Sequence, residues 1–565
     1  ITTLVLNTTN LSSNKTEVNL TAYATVVEPD GDSVRVIYNW LRNETSIALL
    51  NLPFEGGSLS GNSTGTTNGA KDYTPFSYNG TVFNAFWNST GGYDNRGAFE
   101  FVNAPDSRQF INITDNGNLD IGTNDFTLMA WIKSNVSMDL NDITSMVIIG
   151  KRDSNNKGYR LAIQTTPARR RLSFLLGDGI SLASGSADSA TDLVDNKWHH
   201  VAVTFDRGAS ATYYVDGVPD GSPPTRSISA LSGKSVANTV HLAIGIDSPE
   251  AFAGVNGFNG TIDEVIIFNR SLSAAQIYAI WRNQSNVITT NETVRGENWT
   301  VQATPNDGTE DGPLVISNNL TIVNTAPTIP VLWNLTNRST VTTRTPTFVW
   351  NVSNDADGEA VTYRIQVDDN ILFNNLEVNV GGITNTTINN VTYTLSTELG
   401  VDTSYFWRVL ANDSLNAGSI SETRNFTVQS YLAINVTEET VAFGTLPVGA
   451  NVSTPNNASP FRVENVGNII ANITVTGTAF FTAVSMPSSF YRFKIRANES
   501  GAFNTTASAT EWNQTNSTLG ANIFHVINLD WHSISNDFLT DLNISVPGNE
   551  TPGSKTSTMT FTITG

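Results

Sequence analysis

The stretch Lys197-Trp198-His199-His200-Val201-Ala202-Val203-Thr204-Phe205-Asp206 has the spacing of a β-strand. Val201, Val203 and Phe205 alternate with smaller or polar residues, so one face is expected to pack and the other to be lighter. Asp206-Arg207-Gly208 is a turn signal, Ala211 to Val215 a second strand, and Asp216-Gly217 a hairpin turn. Outward from this hairpin, Phe126 to Ile132, Met146 to Gly150, Tyr159 to Gln164, Leu172 to Leu176, Val240 to Ile246 and Ile262 to Phe268 show the same pattern. Short strands at even spacing with polar turns predict an all-β sandwich.

The whole chain has 565 residues, too many for one core, so it is expected to be a multidomain chain of β-sandwiches. Its net charge is -20, with only 15% of residues charged and no Lys/Arg stripe; nucleic acid is therefore excluded as a partner. No apolar run is long enough to span a bilayer. The sequence starts in a strand-like run at Ile1, and the simplest expectation is a mature extracellular chain whose leader was removed.

Cysteine is absent, while Asn-x-Ser/Thr occurs on the order of thirty times. The candidate glycan carriers are Asn7, Asn43, Asn79, Asn112, Asn259, Asn269, Asn298, Asn319, Asn334, Asn351, Asn385, Asn412, Asn425, Asn435, Asn472, Asn498 and Asn543. A strand-rich chain full of Asn and Thr also produces such triplets without any glycan. None falls between Asn135 and Asn259, either because a contact surface lies there or because the segment is poor in Asn.

Four blocks occur in chain order: "FTLMAWIK" (126–133), "KWHHVAVTFD" (197–206), "YYVDGV" (213–218) and "GTIDEVIIFNRSLS" (260–273). Together they resemble the laminin G-like, concanavalin A-like jelly roll, here spanning 51–284. The resemblance implies two packed antiparallel sheets, and binding more often than catalysis. It also implies that a calcium ion can sit near the ligand edge, where Asp153, Asp178, Asp195 and Asp247 lie in loops. The tail "SLSAAQIYAIW" (271–281) fits the family and predicts a helix capped by Ser273. Gln276 is the expected capping-box partner, and Ile277, Ile280 and Trp281 share one face.

Residues 1–50 hold strand patterns but not a whole domain. Val34, Val36, Tyr38 and Trp40 alternate, and Trp40 resembles the core Trp of an immunoglobulin-like strand. Residues 285–325 offer more strands, including Asn298 to Ala303. The two pieces make about 90 residues, near the roughly 100 of one immunoglobulin-like domain. The jelly roll is therefore expected to be inserted into a loop of that discontinuous domain. The alternative is three separate pieces: a strand ribbon, the jelly roll and a small domain. After a proline-bearing linker (Asn324 to Pro330), residues 326–430 resemble a fibronectin type III domain through "TPTFVWNVS", "AVTYRIQVDD" and "TSYFWRVLAND". Residues 431–565 read as a C-terminal β-sandwich. The cysteine-free, sequon-rich whole resembles archaeal cell-surface glycoproteins.

Candidate chemistry is sparse. Glycoside hydrolysis needs two carboxylates facing one groove. Between Glu100 and Trp281 the only glutamates are Glu100, Glu250 and Glu264, and Asp263 and Glu264, adjacent on a strand, are expected on opposite faces. His199 and His200 are adjacent likewise, and packing explains them better than a zinc site. Trp198, Tyr213 and Tyr214 could stack on sugars or fill the core. Two acidic turns suit a hard cation: Asp30 with Asp32, and Asp355 with Asp357 and Glu359. Such residues also favour tight turns without metal. Calcium is thus the one cofactor the sequence suggests.

These features predict a non-enzymatic structural glycoprotein of the cell surface, a filament, appendage or surface-layer subunit. Its partners would be copies of itself, joined through strand edges such as Thr2 to Leu6 or Met559 to Ile563. The second expectation is an adhesin whose jelly roll binds glycans, with calcium as a cofactor.

Overall fold

The computed structural model describes residues 1–565 apart from 10–14, 16, 103–107, 135–144, 166–169, 186–188, 250–256, 386, 414, 416, 455 and 518–522. Asn135 and Glu250 therefore lie outside the described residues. The chain divides into two compact units, Ile1–Thr325 and Ala326–Gly565. Among the described residues no helix is long and apolar enough to cross a membrane.

The first unit contains the jelly roll. The strand Trp198–Phe205 pairs antiparallel with Phe126–Ser134 on one side and Ser210–Val215 on the other, and Gly260–Phe268 follows beyond Phe126–Ser134. A second sheet runs through Arg171–Asp178, Lys157–Gln164, Ser145–Arg152, Leu242–Ile244 and Phe110–Ile113. Between the sheets lie Leu128, Ile132, Val201, Val203 and Phe205 against Ile148, Leu161, Leu172 and Phe174.

The lighter face expected from Ala202 and Thr204 is not solvent-facing. Met129, Ala202, Tyr214 and Phe268, on the outside of that sheet, share a second core with Leu4, Leu6, Trp40, Trp299 and Val301. Both faces of the strand are buried, so its alternation separates two cores rather than core from water. Tyr213 and Tyr214 are core residues accordingly.

Two other sheets complete this unit. Arg35–Arg42 pairs with Asn298–Asn306 over eight positions, from Arg42 against Trp299 to Arg35 against Asn306. Trp40 and Trp299 meet edge to face at 6.4 Å. Thr3–Thr8 pairs with Leu20–Thr25, which pairs with Val287–Ile288. The N-terminal strand thus pairs within its own chain on one side and forms the edge of this sheet among the described residues, with Leu6 1% exposed. The helix Ala274–Trp281 is capped as expected, the Gln276 amide donating to Ser273 Oγ. The Gln276 side chain is not a capping-box partner. Its amide donates to the Val287 carbonyl, and its oxygen accepts from the Thr289 amide.

In the second unit, Leu332–Asn334, Thr347–Asn351 and Asn390–Thr394 face a larger sheet built on Thr403–Asn412. Trp350, Trp407 and Tyr363 are buried between them. The Tyr405 hydroxyl accepts from the Gly400 amide at 2.9 Å, pinning the start of its strand. The last sandwich sets Asp537–Ser545 and Tyr491–Ala497 against Ala471–Gly477 and Met559–Thr564. Its core holds Phe493, Phe538 and Val475.

Candidate functional site

Two regions gather carboxylates, and they satisfy them differently. The first lies beside Arg35, at the head of the strand Arg35–Arg42. Glu264 sits at φ +50 on Gly260–Phe268, where the pairing with Phe126–Ser134 shifts register. Left-handed backbone at a non-glycine residue marks a bulge. The bulge cancels the alternation, so Asp263 and Glu264 do not point to opposite faces as the sequence suggested. Arg35 pairs with Glu264 at 2.7 Å, with Glu55 at 3.0 Å, and with Asp94. Asp263 Oδ2 accepts from the Tyr93 amide behind them.

Four carboxylates around one guanidinium leave excess negative charge in a dry site. Burial pushes Glu55 up to about 8, helped by the charge of Glu264. Burial likewise raises Glu264 to about 7, against the opposing pull of Arg35, and holds Asp263 well above the usual range. Convergent acids therefore exist in the jelly roll, but Arg35 closes over them, and Glu55 is 2% exposed. Glu100 stands apart, accepting from Asn88 Nδ2.

Lys151 is a buried cation that the jelly roll supplies for itself. It is 1% exposed, on the fully buried strand Ser145–Arg152. Its ammonium meets Asp115 at 2.7 Å, Asp120 at 2.8 Å, the Val240 carbonyl at 2.9 Å, and the Asn238 side-chain and main-chain oxygens at 3.1 and 3.2 Å. That is an oxygen cage with a tethered cation inside. A lysine in the apolar run Ser145-Met146-Val147-Ile148-Ile149-Gly150 was the available signal; its partners were not visible from spacing.

The loop aspartates that the resemblance offered for calcium are not brought together. Asp247 is buried between Arg152 and Arg160. Asp153 closes its own turn by accepting from the Asn155 and Lys157 amides, and Asp178 accepts from the Ile180 amide. Asp195 and Asp216 bracket His199 at 3.2 and 2.9 Å, and the hydrogen bond to Asp216 raises that imidazole. His200 is fully buried against Trp131, and burial lowers it to about 4. Asp30 and Asp32 are exposed and, among the described residues, join no third acidic group.

The second region is the turn Asn354 to Glu359. Asp355, Asp357 and Glu359 each offer an oxygen, all within 4.8 Å of one another. This is the only such set of three among the described residues. Asp355 Oδ1 accepts from the Asp357 amide at 2.8 Å and from the Glu359 amide at 3.4 Å, which curls the loop inward. Gly358 takes φ +78 to close it. Asp355 is 9% exposed, and its Oδ2 is buried with no hydrogen-bond partner. A buried carboxylate oxygen without a donor is costly, and a hard cation is one group that would satisfy it.

Of the candidate glycan carriers, Asn43, Asn298, Asn319, Asn334, Asn351, Asn385, Asn435 and Asn498 are exposed. Asn7, Asn79, Asn112, Asn269, Asn412, Asn425 and Asn472 are half-buried. Asn259 and Asn543 are buried. The Asn543 amide nitrogen donates to Asn451 Oδ1 and the Val452 carbonyl, so a glycan there would displace packed protein.

Residues 105–278 match the family model described as the concanavalin A-like lectin/glucanases superfamily. Residues 332–429 match the Rha78A-like N-terminal immunoglobulin domain. The chain therefore contains a laminin G-like, concanavalin-like domain and an immunoglobulin-like domain. Among curated proteins no sequence matches. Similar solved structures include the binding domain of Paraclostridial Mosquitocidal Protein 1, at 13% identity and TM-score 0.33, covering 75% of this chain and 89% of that one. Domain 4 of AbnA, a GH43 extracellular arabinanase from Geobacillus stearothermophilus in complex with arabinotriose, aligns at 15% identity and TM-score 0.29, covering 41% and 98%. The binding domain of Botulinum neurotoxin DC in complex with rat synaptotagmin II aligns at 12% identity and TM-score 0.30, covering 89% and 99%.

Proposed function

We propose that this chain is an extracellular cell-surface glycoprotein whose jelly roll binds glycans and is inserted in a discontinuous immunoglobulin-like domain. The observation that carries this reading is the fate of the converging acids. The matched superfamily holds lectins and glucanases. A glucanase needs its two carboxylates open to a groove. Here Glu55, Asp94, Asp263 and Glu264 are closed under Arg35, so the lectin role is the one these residues fit. Glycans on the exposed sequons would coat the remaining surface. Calcium is the ion we assign to Asp355, Asp357 and Glu359, because the donors are all hard oxygens. The test is a glycan panel probed with the full chain, with and without calcium. Saturable binding without turnover of the bound polysaccharide is expected; release of reducing ends would sink the reading.

A filament or surface-layer subunit is the second reading. Met559–Thr564 pairs only with Ala471–Gly477 among the described residues, leaving an outer edge. Beside it lies a cavity of about 960 Å³ lined by Phe461, Phe480, Tyr491, Leu542 and Met559. An extended segment from another copy would suit such an edge. Negative-stain imaging of the native protein tests this: ordered polymers are expected, and monomers at high concentration would remove the reading.

A further inference from the structure

The acidic loop is tied to the chain that enters the second unit. Asn354 directly precedes Asp355 and is bonded to Thr328 twice. The Thr328 amide donates to the Asn354 carbonyl, and the Asn354 amide donates to Thr328 Oγ1, both at 2.9 Å. Thr328 stands between Pro327 and Pro330, which have no N–H to offer. A little further on, the Asn351 amide donates to the Val331 carbonyl at 2.9 Å, and Leu332–Asn334 joins the sheet beside Thr347–Asn351. Thr328 itself is exposed, so its hold on Asn354 depends on how firmly the loop keeps its shape.

Three carboxylates within 4.8 Å repel one another, and Asp355 Oδ2 is buried without a donor. Both costs loosen the loop unless a cation offsets them. We propose that a divalent cation of the calcium class, bound at Asp355, Asp357 and Glu359, regulates the segment Asn324 to Pro330 by locking the Thr328–Asn354 clasp. With the ion bound the segment is held; with the ion removed the clasp opens. This rests on the calcium assignment made above and adds a consequence for the backbone two residues away in contact but nearly thirty in sequence.

The experiment uses the full chain with calcium chloride alone, read by calorimetry and by amide hydrogen exchange. Calcium is expected to bind at one saturable site that Asp355→Asn and Glu359→Gln both remove. It is also expected to slow exchange at the Thr328 and Asn354 amides by about tenfold, through a lower population of the open loop. Thr328→Val should leave calcium binding in place and abolish the protection at Asn354. Absence of any binding that Asp355→Asn removes would overturn the ion assignment and this proposal together. Binding that both loop variants remove, with exchange at 324–330 unchanged, would overturn this proposal alone.

Discussion

The jelly roll and the loop at Asp355 face the same electrostatic problem and meet it in opposite ways. In the first unit the counter-charge is covalently part of the fold: Lys151 sits inside five oxygens of the jelly roll, and Arg35, on a strand outside it, reaches three of the jelly roll's carboxylates. In the loop from Asn354 to Glu359 three acidic side chains converge on a buried oxygen with no donor. A tethered cation makes a region independent of ions in solution, whereas an oxygen cluster without one makes it responsive. The family resemblance placed calcium at the jelly roll's loops. The structure gathers three acidic side chains instead in the immunoglobulin-like domain, while in the jelly roll Lys151 pairs with Asp115 and Asp120, and Arg152 and Arg160 pair with Asp247.

The sharpest way to break this contrast is to remove the tethered cation. Lys151→Met strands Asp115 and Asp120 beside a buried apolar side chain, and should destabilise the first unit by about 3–5 kcal/mol in denaturant titration. Part of that loss should return with millimolar calcium. A variant as stable as the parent would show that the cage needs no cation.

The seam at Arg35 sharpens the contrast through pH. Glu55 and Glu264 have folded values raised to about 8 and about 7 by burial. The folded state therefore binds more protons than the unfolded one between roughly pH 4.5 and 8. Their contribution is fully present below the unfolded value and is lost as pH rises through that window. Stability of the first unit should fall across it, and Glu55→Gln should flatten the slope. An unchanged slope in that variant would remove Glu55 from the account.

On the responsive side, calcium should stabilise the second unit by about 2.7 kcal/mol at about a hundred times its Kd. The gain should vanish in Asp355→Asn. The smallest effect belongs to the other acidic turn. Asp30→Asn with Asp32→Asn should change stability by less than about 0.5 kcal/mol and leave calcium binding intact, because both side chains are exposed. Loss of calcium binding in that pair would shift the ion site to the first unit.

How far the sequence could be read follows from the range of each interaction. Alternation at Val201, Val203 and Phe205 was enough for strands, and Trp350 and Trp407 for a sandwich core, because each pattern is written within a few residues. Asp355, Asp357 and Glu359 were legible for the same reason, since one tight loop folds them together. Ser273 capped its helix as read, but Gln276, three residues on, was claimed by Val287 and Thr289 from a later strand.

What the chain's sequence determined alone was therefore local: β-class elements, their turns, the helix cap and the acidic loop. What tertiary structure decided was which distant groups met. Lys151 finds partners 31 to 89 residues away, Glu264 turns toward Arg35 only because a bulge breaks the strand's period, and Ala202 faces a second core only because another sheet lies over it. The reason is physical: propensity and periodicity act through neighbours along the chain, while burial of charge and of a strand's outer face is settled only when separate sheets close over them.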